Sequence, residues 1–177
     1  MMKIQLSPAR QQYLAVLRSR PHISVLFVCL GNICRSPAAE GVLSRIVDEH
    51  HASDRWTIDS AGIGRWHVGQ LPDSRMRLHA RQRGLDLVHH CRQVRSSDFG
   101  VFDLIIGMDA QNISDLRHLA PTAEAETRIF PMAAFLPASS HYDYIPDPYY
   151  EGAEGFELVL DLLDTACLNL YTALTEA

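Results

Sequence analysis

Val25-Leu26-Phe27-Val28-Cys29-Leu30-Gly31-Asn32-Ile33-Cys34-Arg35-Ser36-Pro37 is the stretch from which the rest of the chain can be read. An apolar, β-branched and aromatic run ends on Cys29. A short loop holding Gly31 and Asn32 follows, and Arg35 opens a segment of helical period. Five residues separate the cysteine from the arginine. This spacing predicts a nucleophile in a loop that wraps a phosphate between a strand and a helix.

The physical reason is charge. A phosphomonoester carries roughly −1.5 to −2 at neutral pH, and a thiolate beside it adds more. First-turn amides of a helix have no intrahelical partner and sit at the positive end of its dipole. Arg35 adds a planar fork suited to two phosphate oxygens at once. Gly31 and Asn32 accept the left-handed backbone that such a nest needs. Ser36-Pro37 reads as an N-cap followed by proline at the first helical position. The same surroundings favour the thiolate form of Cys29, with the Ser36 hydroxyl placed to donate to it.

At 177 residues and 47% hydrophobic content, the chain fits one compact domain. A net charge of −5 without a long basic run argues against nucleic acid. No apolar stretch is expected to reach the roughly twenty residues of a membrane span. Arg10, Gln11, Gln12 and Arg18 interrupt the first twenty residues, which lack a signal peptide's apolar core. Four scattered cysteines (Cys29, Cys34, Cys91, Cys167) do not make a disulfide scaffold. The expectation is a soluble protein in a reducing, cytoplasmic setting.

Strand patterns cover Ser24–Val28, Thr57–Ser60, Leu104–Met108 and Arg128–Phe130, and helical patterns cover Pro37–His51, Ser74–Arg83 and Asn112–Leu119. In Pro37–His51 the stripe is Ala38, Ala39, Val42, Leu43, Ile46 and Val47. A closing helix places Phe156, Val159, Leu160, Leu163, Cys167 and Leu170 on one face, with Glu157, Asp161 and Asp164 opposite. Alternating strands and helices predict an α/β fold: a four-stranded parallel sheet with helices on both faces, a flavodoxin- or Rossmann-like three-layer sandwich. Ligands bind beyond the C-terminal ends of such strands, where Cys29 falls.

A thiolate that displaces phosphate from an alcohol or phenol needs an acid for the leaving oxygen. Asp147, in Asp147-Pro148-Tyr149-Tyr150, is the candidate. Residues 137–152 hold three prolines, four tyrosines and no helical period, so they read as an ordered surface loop. Pro148 restricts Asp147 to extended geometry.

Together with Val28–Pro37 and Asp147–Tyr150, the segments Asp59-Ser60-Ala61-Gly62, Trp66-His67-Val68-Gly69, His89-His90-Cys91-Arg92-Gln93 and Met108-Asp109 give a chain that resembles the low-molecular-weight protein tyrosine phosphatases from about Val25 to about Leu170. The resemblance implies that Cys29 forms a phosphocysteine while Arg35 and the amides of Leu30, Gly31, Asn32, Ile33, Cys34 and Ser36 hold the phosphoryl oxygens. Asp147 would be general acid and then base. Asn32, Ser36, Ser60 and His89 match the family's supporting network, and Trp66, His67, Tyr149 and Tyr150 its cleft walls. No metal or cofactor is implied. Expected partners are phosphotyrosine proteins, a tyrosine kinase among them, with inorganic phosphate or other oxyanions as product-like ligands. Tyr149 and Tyr150 could support self-association, giving a monomer or weak homodimer. Ile33 favours phosphotyrosine, because the related protein-arginine phosphatases carry threonine there. His67 and Cys91 depart from the family pattern.

Cys34 borders the same loop and is a candidate redox partner of Cys29. A thioredoxin-coupled arsenate reductase would need a relay of further cysteines, yet Cys91 stands alone and Cys167 lies on an apolar face. A zinc site from Cys29, Cys34, His89, His90 and Cys91 would put a cation where Arg35 and a glycine loop favour an anion. Residues 1–22 read as an extension ahead of a 23–177 domain. Ser7-Pro8 would cap a short helix there, with Tyr13, Val16 and Leu17 as its apolar positions.

Overall fold

The computed structural model describes Met2 and residues 5–176. Met1, Lys3, Ile4 and Ala177, which fall at the outer ends of the two expected segments, lie outside the described residues. One parallel sheet contains β1 (Ile23–Cys29), β2 (Trp56–Gly62), β3 (Leu104–Gly107) and β4 (Ile129–Pro131), in the order β2-β1-β3-β4. The helices are α1 (Pro8–Arg18), α2 (Arg35–Glu49), α3 (Ser74–Gln82), α4 (Ala110–Leu119), α5 (Ala123–Glu126) and α6 (Ala153–Thr175).

β1 is flanked on both sides and buried along its whole length. Its side chains alternate between two cores. Val25, Phe27 and Cys29 join the one that α1, α2 and α6 cover, and Leu26 and Val28 join Phe99, Phe102 and Leu116 on the other face. Burial on both faces is why the strand reads as a continuous apolar run rather than an alternating one. The expected three-layer α/β architecture is present, with element ends within two residues of those read from sequence. The apolar stripes named for the Pro37–His51 region and for the closing helix are buried throughout.

Three expectations need correction. First, α2 begins at Arg35: Cys34 occupies the cap position without a side-chain cap bond, and Ser36 and Pro37 lie in the first turn. Pro37 loses no hydrogen bond there, because first-turn amides have no helical partner. Second, the 23-residue α6 contains a stretch that is, by length and composition, apolar enough to cross a bilayer. That apolar face packs into the core instead. On its polar face Arg83 binds Glu157, Asp161 at 2.8 Å and Asp164 at 3.0 Å.

Third, the inward face of α1 runs through Leu14 and Leu17, whereas Val16 is exposed. Ser7 does cap this helix, accepting from the Arg10 N–H at 3.3 Å. The Tyr13 hydroxyl donates to the Asp103 carbonyl at 2.6 Å, and Arg20 pairs with the Asp103 carboxylate at 2.7 Å. The segment is therefore packed onto the sheet.

Candidate active site

Cys29 ends β1, and the chain then turns into α2 within five residues. Asn32 adopts the left-handed conformation, with φ of +57°. Gly31 does not; it keeps space, since a Cβ there would meet the His67 ring at 3.3 Å. The end of β2 presses on the same turn. A Cβ on Gly62 would lie 2.9 Å from the Gly31 carbonyl carbon. Among the described residues, the amides of Gly31, Asn32, Ile33 and Cys34 donate to no backbone carbonyl. They sit at the positive end of α2, which is an arrangement for an anion.

Asn32 is fully buried and its amide is saturated. Nδ2 donates to Ser36 Oγ at 2.8 Å and to Ser60 Oγ at 3.0 Å. Oδ1 accepts from the Arg92 N–H at 2.9 Å and from His89 Nε2 at 3.0 Å. Four bonds use everything a primary amide offers, so its orientation and the His89 tautomer are fixed. Because Ser36 Oγ accepts from Asn32, its own proton has two acceptors in reach, Cys29 Sγ at 3.1 Å and the Ala61 carbonyl at 3.4 Å, and the sulfur is the nearer. The residue read as a helix cap is turned inward to the sulfur.

His89 Nδ1 faces Glu40 Oε1 and Asp59 Oδ1, both at 3.4 Å. Burial lowers the His89 pKa, and burial together with the Asp59 charge pushes Glu40 up to about 8. Glu40 therefore carries the cluster's proton at neutral pH. Among the described residues this is the group whose potential ligand atoms converge; the Cys29, Cys34 and Cys91 set imagined for zinc is not brought together.

Arg35 is buried. Its Nη1 donates to Asp109 Oδ2 at 2.6 Å and to the Ile145 carbonyl at 3.0 Å. Nη2 lies 3.6 Å from Asp147 Oδ2. Burial works against its charge, but the Cys29 sulfur, Asp109 and Asp147 outweigh it and raise the Arg35 pKa. Asp147 Oδ1 also accepts from the Tyr149 N–H at 3.1 Å. One cleft of about 280 Å³ gathers Cys29, Leu30, Gly31, Ile33, Cys34 and Arg35 on its floor, with Trp66, His67, Asp147, Tyr149 and Tyr150 above. Trp66 and Tyr150 are 66% and 92% exposed, so the rim is aromatic and open. Ser60 and His89 lie behind the loop, outside the cleft lining.

Sequence reasoning gave no role to Asp109 or Cys91. Asp109 follows β3 at the same sheet edge as Cys29, so an acid just past a strand end was its available signal. Cys91 donates to the Asn32 carbonyl at 2.8 Å, a contact across 59 residues that left no mark in the sequence.

A parallel sheet carrying a cysteine and an arginine around an anion nest defines a phosphate-loop α/β protein. Residues 24–177 match the family described as low molecular weight phosphotyrosine protein phosphatase. A low molecular weight phosphotyrosine protein phosphatase of Drosophila melanogaster is 43% identical over 81% of this chain and 91% of its own length. The solved structure of a protein tyrosine phosphatase from Entamoeba histolytica, with Hepes in its active site, is 44% identical; it covers 84% of this chain and 94% of that one at a TM-score of 0.81. A drosophila arginine phosphatase structure is 34% identical, covering 84% of this chain and 95% of that one at a TM-score of 0.78. The chain belongs to the low molecular weight phosphotyrosine protein phosphatase family.

Proposed function

We propose that the protein hydrolyses phosphotyrosine monoesters through a phosphocysteine intermediate. The observation that carries the roles is the convergence of Cys29, Arg35 and Asp147 on one cleft floored by unpaired loop amides. Cys29 Sγ attacks phosphorus while Arg35 and the amides hold the phosphoryl oxygens. The bond from phosphorus to the tyrosine oxygen breaks, and Asp147 gives that oxygen its proton. Asp147 then takes a proton from water, which attacks phosphorus, breaks the S–P bond and frees inorganic phosphate. The aromatic rim suits a phenyl ring standing upright in the cleft, and Ile33 on the floor supports tyrosine over arginine as the phosphate carrier.

Residues 23–177 form the catalytic domain in this reading, and residues 1–22 are an addition to it whose α1 packs on the core. Phosphotyrosine proteins, a tyrosine kinase among them, are the substrates, and the working form is a monomer or weak homodimer. Four free cysteines support a reducing, cytoplasmic setting. Cys34 acts as redox partner to Cys29. Turnover of phosphotyrosine, phosphoserine and phosphoarginine peptides by wild type, Cys29→Ser and Asp147→Asn tests the assignment. Phosphotyrosine preference, abolition by the first change and a fall of about 10²–10⁴ with the second are expected. A preference for phosphoarginine would reverse the substrate class.

A further inference from the structure

We propose that Asp73 and Arg75, at the start of α3, are positioning residues that hold the loop bearing Asp147 in register with the loop bearing Cys29. The inference rests on Asp147 being the acid. The Asp73 N–H donates to the Ile33 carbonyl at 2.8 Å, inside the phosphate-binding turn. The Asp73 carboxylate accepts from the Arg75 N–H at 2.8 Å and grips the Arg75 side chain twice, from Nε at 3.1 Å and from Nη2 at 2.9 Å. A guanidinium held by two parallel bonds is fixed in its plane as well as its position.

Held this way, it stands 5.3 Å from the Tyr149 ring centroid and 4.9 Å from that of Phe156. Cations over ring faces attract them, so Arg75 draws the acid loop and the first turn of α6 onto one point. The Tyr149 N–H completes the path by donating to Asp147 Oδ1 at 3.1 Å. A continuous set of contacts thus runs from Ile33 to Asp147 through one turn of helix. It matters because Asp147 has little else to fix it. Its side chain is 42% exposed, and its approach to Arg35 at 3.6 Å is too long for a hydrogen bond. An ordinary surface ion pair would touch neither loop, whereas this one touches both.

The test compares kcat/KM on phenyl phosphate, whose leaving group needs the acid, with 4-nitrophenyl phosphate, whose leaving group needs it far less. Arg75→Ala should lower the first by about two- to fivefold, the size of one exposed cation–π contact, and leave the second nearly unchanged. Arg75→Met, which keeps an apolar contact with Phe156, should show the same split if Arg75→Ala folds poorly. In an Asp147→Asn background Arg75→Ala should cost nothing further, because it acts through that carboxylate. Equal losses on both substrates, no loss on either, or an additive loss in the double variant would overturn the positioning role. If Asp147→Asn alone matched wild type on phenyl phosphate, the acid assignment would fail first, and this inference with it.

Discussion

Asp109 holds Arg35 from behind: the two side chains meet at 2.6 Å, and the other oxygen of the same carboxylate accepts from the Asn112 N–H at 2.8 Å to cap α4. One acid thus orients Arg35 and starts a helix. Asp109→Asn keeps a capping side chain but loses the charge facing buried Arg35, so it should lower kcat/KM on phosphotyrosine by about 10–100-fold through misalignment and also lower stability. Asp109→Ala should show the same kinetic loss and, beyond Asp109→Asn, about 1 kcal/mol less stability from the missing cap. Wild-type kinetics in both would mean that the Ile145 carbonyl alone suffices to place Arg35.

The proton on Glu40 makes stability depend on pH. Burial and the Asp59 charge raise its folded value from 4.5 to about 8. The folded chain therefore binds a proton that the unfolded chain has released, so this contribution is complete below about 4.5 and is lost as pH rises towards 8. Glu40→Gln cannot titrate. Relative to wild type it should gain stability across that window, by up to about 1.4 kcal/mol per pH unit, and gain nothing more above it. Urea unfolding at stepped pH measures the difference, and a constant difference would show that Glu40 is ionised in the fold.

Burial pushes the thiols of Cys34 and Cys91 up, the latter to about 11, and does the same to Cys167. Iodoacetate near neutral pH should therefore label Cys29 and spare the other three, as peptide mass mapping would reveal. Equal labelling of Cys34 would put the nucleophile assignment in question.

Peroxide extends that comparison. Peroxide oxidises Cys29 to a sulfenic acid, and the Cys34 sulfur can then displace its hydroxyl as water, forming a disulfide that a thiol reductant reopens. Wild type should regain activity after brief peroxide and dithiothreitol, and Cys34→Ser should not. Identical recovery would remove Cys34 from any protective role.

Leu17 has no exposed surface and sits in the main core although it precedes the family-matched region. Leu17→Ala should cost about 2–5 kcal/mol in urea unfolding. A change within about 0.5 kcal/mol, typical of surface sites, would mean that α1 is an appendage.

What could be read in advance followed the range of the interaction. β1, the anion nest and Arg35 lie within one short stretch, and strand burial and helix dipoles act locally, so they were legible. Asp147 could be singled out because a proline and two tyrosines mark its loop, and it lines the same cleft as Cys29. Asp109, Cys91, Glu40 and Arg75 act on partners tens of residues away, through contacts that only the folded topology creates. Ser36 was read half correctly: its hydroxyl does face Cys29 Sγ, but the residue lies in the first turn of α2 and does not cap it. Serine before proline usually caps a helix, but the saturated amide of Asn32 turns this hydroxyl towards the sulfur.

The apolar face of α6 has a consequence for biosynthesis. By length and composition alone this segment resembles a membrane span, and only Glu154, Glu157, Asp161 and Asp164 weigh against that reading while it is uncovered. It follows all four strands in the chain, so on the ribosome it emerges after the surface that will cover it has been made. Chain order thereby shortens the time during which a core helix could be mistaken for a membrane anchor.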